Sequence, residues 1–153
     1  MLTAAPGIAQ DGPLTEHQGV VVDCLLAMEA GNASWPQCVS MMFAPCAEEQ
    51  VATPGHVSCL AGEHKAWQAA MLTQHSVINE RLTTGGSSEL TQIFGGWVNA
   101  VAQNCAQRAA SKEGDAAEAT KLGCEISEIA GVVTEFAACD RGMSSAPYCV
   151  FQE

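Results

Sequence analysis

Two amphipathic segments separated by a short polar break constrain the fold of this chain more than any other feature. Apolar residues recur at steps of three and four on both sides of the break, which spans residues 111–115. They are Leu90, Ile93, Phe94, Trp97, Val98, Val101 and Cys105 before it, and Leu122, Ile126, Ile129, Val133 and Phe136 after it. Cys105 and Cys124 lie almost equally far from the centre of the break, so folding the chain back there brings their sulfurs level. The pattern predicts a long antiparallel helical hairpin closed by a Cys105–Cys124 disulfide.

Eight cysteines, an even number, are spread over most of the 153 residues. No C-x-x-C spacing occurs, so the usual zinc-ribbon and thioredoxin-type motifs are missing. Four disulfides formed in an oxidising compartment are the favoured interpretation, and eight inert thiols in a cytosolic protein are the alternative. Beyond the hairpin pair, spacing leaves the pairing open for the remaining cysteines: Cys24, Cys38, Cys46, Cys59, Cys139 and Cys149.

The length of the chain indicates a single domain, which we place at residues 14–153. Residues 1–13 read either as the remnant of an export signal or as a disordered lead. The first helix is predicted to begin at a Thr15 cap, with Gln18 completing a capping box. A short second helix is predicted to open at Trp35-Pro36, because proline suits the first helical turn.

Three longer helices follow in the prediction. The third runs from about residue 56 to 82, and the fourth is capped by Ser87 or Ser88. The fifth is capped by Asp115, with Glu118 at the capping-box position. Strand signals are weak throughout. The sequence therefore predicts an all-α protein, a small disulfide-stapled bundle of about four to five helices.

Charge limits the classes of partner. Six lysines and arginines oppose seventeen aspartates and glutamates, giving a net charge of −11. This balance disfavours nucleic acid and anionic membrane surfaces, which bind basic patches. It favours rapid encounter with a basic protein partner, although solubility alone also explains it. No apolar run approaches the length that spans a bilayer.

No motif for catalysis, cofactor binding or metal binding is present in the sequence. His64 and His75 point the same way on the third helix, but three turns separate them, so they cannot share a metal ion. We therefore predict no catalytic, cofactor or metal residue and favour a binding module over an enzyme or metal carrier. The oligomeric state is left open.

Two features of the helices remain ambiguous at this level. Glu63 lies near the buried stripe of the third helix, one turn before Trp67. It is expected either to be half-exposed and hydrogen-bonded or to be functional. Gly95-Gly96 in the middle of the fourth helix is expected either to let another helix approach closely or to mark a bend.

The third and fourth helices resemble the LprI-like lysozyme-inhibitor family. The run Cys59-x3-Glu63-x3-Trp67 and the later Trp97-x7-Cys105 are similar to that family's C-x3-E-x3-W and W-x-x-Y-R-D-x-x-C patterns. Cys124 matches the position of the family's second cysteine. The resemblance spans about residues 38–136, and its family-motif residues are Glu63, Trp67 and Trp97. It implies a helical fold, a periplasmic or secreted location and inhibition of lysozyme.

The chain departs from the family pattern at several polar positions. Leu72 and His75 stand where the family has Asn and Tyr, and residues 101–103 are Val-Ala-Gln where it has Tyr-Arg-Asp. The expectation is therefore a divergent member that keeps the fold. Its expected function is protein binding, and the partner that the resemblance implies is a basic lysozyme-type cell-wall hydrolase. The alternative is another periplasmic binding, immunity or structural protein on the same scaffold without lysozyme activity.

Overall fold

The computed structural model describes residues 16–29, 38 and 44–153, and this part of the chain is all-α, as predicted. It contains four helices: α1 (Glu16–Glu29), α2 (Pro54–Arg81), α3 (Thr84–Ala109) and α4 (Gly114–Asp140). A 3-10 turn covers Ala44–Cys46. Within the described ranges, extended pairing is limited to one antiparallel bridge between Leu82 and Phe151. The predicted lead at residues 1–13, the Thr15 cap and the short helix opening at Trp35-Pro36 lie outside the described residues.

The start of α3 differs from the prediction. Thr83 is its cap and accepts a hydrogen bond from the Gly86 backbone N–H, so the helix begins at Thr84 rather than after Ser87 or Ser88. The prediction was wrong because it treated 83–88 as one turn, whereas the glycines at 85 and 86 are helical. Gly86 is required there, since a Cβ on it would lie 2.5 Å from the Tyr148 carbonyl oxygen.

The start of α4 also corrects the prediction that Asp115 is the cap. Glu113 occupies the cap position without a side-chain hydrogen bond to the helix, and Gly114 is the first helical residue. Gly114 has a φ of +57°, which glycine adopts without the steric cost that other residues incur. The chain therefore enters the helix two residues earlier than predicted, and Asp115 lies in the first turn. A carboxylate in the first turn is stabilised by the positive end of the helix dipole.

Helix α4 lies at the centre of the bundle. It runs parallel to α2, because His64 contacts Glu125 and, further along both helices, Arg81 bonds Asp140. Helix α3 packs antiparallel against α4, and α1 packs against α2. The fully buried side chains that fill the core come mainly from α2 and α4, and the largest apolar ones are Trp67, Ile78, Leu82, Leu90, Ile126 and Val133.

Four disulfides staple this bundle. The predicted hairpin bond joins Cys105 to Cys124 with a Cα–Cα distance of 5.5 Å. The other three, whose pairing the spacing left open, are Cys24–Cys38, Cys46–Cys59 and Cys139–Cys149. No cysteine in the described part of the chain is free. Such a set fits a protein that folds in an oxidising compartment. None of the helices described has both the length and the apolar character needed to cross a membrane.

Gly95 and Gly96 face solvent in the middle of α3. A Cβ built on either glycine meets nothing within 4 Å, so the expectation of a close helix approach at this point is wrong. Neither glycine has a positive φ. Alanine therefore fits both positions without strain.

We expect Gly95→Ala and Gly96→Ala together to raise the free energy of unfolding by about 1–2 kcal/mol, because alanine restricts the unfolded chain and favours the helix. Urea unfolding followed by circular dichroism measures this change. Gly86→Ala is the matched control, since the same substitution there meets the Tyr148 carbonyl and is expected to destabilise. Destabilisation by the Gly95 and Gly96 changes would show that these glycines bend the helix.

Candidate functional site

The most unusual side chain in the core is the carboxylate of Glu63. It is fully buried on α2, so the expectation of a half-exposed residue is wrong, whereas the expected hydrogen bonding is present. Trp67, one turn later, donates its indole N–H to Glu63 Oε1 at 3.2 Å. His17 Nδ1 lies 2.6 Å from the other oxygen, Oε2. Both carboxylate oxygens are thus engaged.

His17 reaches this position because α2 offers it a gap at a glycine. The residue lies in the first turns of α1, and its ring packs over Gly62. A Cβ at Gly62 would lie 2.8 Å from His17 Cδ2, so a larger side chain would displace the ring. The contact therefore fixes α1 against α2 at one point.

Burial raises the pKa of Glu63, and the hydrogen bonds from His17 and Trp67, together with the nearby charge of His17, oppose that rise. A buried carboxylate without partners would destabilise the fold, because it loses its hydration. The two donors replace that hydration. The Glu63 cluster, consisting of His17, Glu63 and Trp67, is accordingly a closed polar network in an apolar interior.

A disulfide borders this cluster. The donor atoms of His17, Cys46 and Cys59 all lie within 4.8 Å of one another. They come from three elements: α1, the 3-10 turn and α2. Sequence reasoning identified neither His17 nor Gly62, because 46 residues separate His17 from Glu63 and no short motif connects them. The only sequence signal was an acidic residue on the buried stripe of α2.

The second family-like tryptophan, Trp97, lies in a different cluster. Its ring stacks on Phe94 at 5.7 Å between centroids, and Phe94 in turn lies 4.8 Å from His75. Phe136 extends the same aromatic cluster. The structure therefore brings Glu63 and Trp67 together and gives Trp97 separate neighbours.

His75 packs within that aromatic cluster, and its Nε2 is buried without a hydrogen-bond partner among the described residues. Burial lowers the pKa of His75, which favours the neutral imidazole at pH 7. His64 has a different environment, since its Nε2 lies 2.9 Å from Glu125 Oε2. His75 thus packs among aromatic rings, whereas His64 pairs with a carboxylate.

The positions that depart from the family pattern divide between surface and core. Leu72 is 57% exposed, whereas Val101 is buried. Ala102 and Gln103 face solvent. The apolar replacement at residue 101 therefore packs into the core, and the one at residue 72 adds an exposed apolar side chain to α2.

The acidic residues available for contact lie at both ends of the α2–α3–α4 bundle. Glu80 is exposed near the end of α2, and Glu89 is partly exposed near the start of α3. Glu113 and Glu118 are exposed at the opposite end, around the start of α4. About 20 helical residues separate the two ends, which corresponds to roughly 30 Å along α3.

Comparison with known proteins identifies no relative: the chain matches no protein-family model, no curated protein and no solved structure.

Proposed function

We propose that this chain is an exported protein-binding module that inhibits a basic, lysozyme-type cell-wall hydrolase, acting by contact rather than by catalysis. The observation that carries the proposal is an exposed acidic region at the α2–α3 end of the bundle. The layout of Cys59, Glu63 and Trp67, which resembles the LprI-like family, supports the same partner class. The four disulfides support a periplasmic or secreted location.

The surface of the chain is strongly acidic. Apart from Glu63, every acidic side chain whose burial the structure describes is at least partly exposed. Only six basic residues accompany the seventeen acidic ones. A potential of this sign attracts a basic partner and raises the rate of association.

Two basic residues, Arg81 and Arg141, lie at the α2–α3 end, and both are engaged in hydrogen bonds within the protein. Arg81 is occupied there, because it bonds Asp140 and lies 4.3 Å from the centre of the Phe151 ring. Gln152 donates its backbone N–H to the Arg81 carbonyl, which holds the C-terminal residues at this end. Glu80, Glu89 and Glu153 therefore share one region of the surface. The opposite end carries three basic residues close to its acids in sequence: Arg108, Lys112 and Lys121.

The direct test is lysis of bacterial cell walls by a basic lysozyme with the purified, fully oxidised protein added. We expect inhibition at low salt and weaker inhibition as ionic strength rises, because salt screens exposed charges. No inhibition at low salt with micromolar protein would contradict the proposal.

We expect Glu80→Gln with Glu89→Gln to slow association with the lysozyme by about tenfold at low salt, since both variants remove acidic charge from the proposed contact region. Stopped-flow or surface-binding kinetics measures the rate. Glu113→Gln with Glu118→Gln removes the same net charge at the other end and is expected to have a clearly smaller effect. Equal effects from the two pairs would indicate that binding depends on net charge alone.

A further inference from the structure

We propose that His17, Cys46 and Cys59 bind one zinc ion while the two cysteines are still thiols, before the Cys46–Cys59 disulfide forms. Every chain with disulfides passes through a thiol state before it is oxidised. In that state these three residues supply one imidazole and two thiolates, which are preferred zinc ligands. The proposal concerns the maturation of the protein and is independent of its binding partner.

In the folded protein a ring nitrogen of His17 lies within 4.8 Å of both sulfurs, which are bonded to each other at 2.09 Å and must separate before they bind zinc. All three donor atoms lie within 4.8 Å of one another. Zinc bonds of about 2.3 Å to sulfur and about 2.0–2.1 Å to nitrogen place tetrahedral ligands roughly 3.5–3.8 Å apart. Cys46 ends a 3-10 turn and is followed by a loop, so its backbone can adjust once the two sulfurs separate.

Glu63 prepares His17 for this role. Its Oε2 lies 2.6 Å from His17 Nδ1, which leaves Nε2 as the nitrogen available to a metal. A histidine that ligates a metal through one nitrogen usually donates the other N–H to a carboxylate or carbonyl, which orients the ring and strengthens the ligand. Trp67 in turn holds the second oxygen of Glu63. The ligand and its supporting carboxylate are therefore in place.

The same arrangement separates this cysteine pair from the other three. Among the residues that the structure describes, it is the one group of three metal-ligating side chains with donors this close. No sequence spacing reveals it, because the ligands come from α1, the 3-10 turn and α2. For this reason the sequence, which has no C-x-x-C motif, predicted no metal site.

The chemistry balances without a change of oxidation state at the metal. Binding converts two thiols into two zinc-bound thiolates and releases their two protons, and a protonated His17 also gives up its Nε2 proton before that nitrogen binds the ion. A small-molecule disulfide later accepts two electrons from the thiolates, and its own S–S bond breaks to give two thiolates that take up protons. Cys46 and Cys59 then join, and zinc leaves. Three protein ligands also leave a fourth position for water.

Oxidative refolding of the full chain tests the proposal. Reduced protein is refolded in a glutathione redox buffer with zinc or with a chelator, and free thiols are then alkylated and mapped by mass spectrometry. With zinc, we expect one bound ion per chain, free thiols at Cys46 and Cys59, and the other three disulfides formed. With the chelator, we expect four disulfides. Four disulfides under both conditions, or zinc retained at other cysteines, would overturn the proposal.

Variants identify the histidine and its carboxylate in the same assay. We expect Glu63→Gln to weaken zinc binding by roughly 10- to 100-fold, as losses of supporting carboxylates do. His17→Ala is expected to weaken it at least as much. His64 also contacts a carboxylate, that of Glu125, so His64→Ala is the matched control. This variant is expected to bind zinc with unchanged affinity. Unchanged affinity in His17→Ala would refute the assignment. If that variant does not fold, the thiol map of the unsubstituted chain and Glu63→Gln decide.

Discussion

Replacing Trp67 by alanine is expected to lower the free energy of unfolding by about 3–5 kcal/mol, the largest effect of any single change we consider. Two losses combine. The indole is fully buried, so its removal leaves a cavity between α2 and its neighbours. Glu63 Oε1 also loses its N–H donor and stays buried without that partner. Urea unfolding of the oxidised protein, followed by circular dichroism, measures the change.

Two variants divide this effect into its parts. Trp67→Phe keeps an aromatic ring but removes the N–H, so we expect a smaller loss of about 1–3 kcal/mol, dominated by the unsatisfied carboxylate oxygen. Trp97→Ala makes the same chemical change at a partly exposed tryptophan that stacks on Phe94. If Trp67→Ala costs no more than Trp97→Ala, the Glu63 cluster is not a main source of stability.

Removal of the hairpin disulfide by Cys105→Ala with Cys124→Ala is expected to cost about 3 kcal/mol, the value that loop entropy gives for a closed loop of this size. The effect should concentrate in one place. Helix α3 packs mainly against α4, and this bond ties the second half of α3 to the first half of α4. Amide hydrogen exchange is therefore expected to accelerate most in the second half of α3.

The Cys139–Cys149 bond offers a comparison with a shorter loop, since ten residues separate its cysteines instead of nineteen. Its removal is expected to cost slightly less and to loosen the C-terminal segment rather than α3. Uniform acceleration of exchange throughout α2 and α4 in the Cys105–Cys124 variant would contradict a local role for the bond.

The hairpin and its disulfide were predictable because both depend on local order. Apolar residues at helical spacing identify α3 and α4, and the short break between them leaves one way to align Cys105 with Cys124. Helix starts were less predictable, since several residues compete to cap the same turn. Thr83 sets the start of α3 through a side-chain cap and Gly114 sets the start of α4 through its positive φ, and the apolar periodicity encodes neither.

The Glu63 cluster could be predicted only in part. A glutamate four residues before a tryptophan places both on one helix face, which suggests the Glu63–Trp67 contact. Burial of Glu63 depends on His17, which reaches it from a separate helix across Gly62. Contacts of this kind depend on how helices pack, so neither periodicity nor motif spacing reveals them.

The order of the four disulfides has a consequence for biosynthesis. Each bond joins cysteines that are neighbours in the sequence, and the separations range from 10 to 19 residues. The loops neither overlap nor enclose one another, so each pair is complete as soon as its own segment has been synthesised. Short loops also close at the lowest entropic cost. Joining each cysteine to its neighbour in the sequence thus yields the native set directly, whichever of the four bonds closes last.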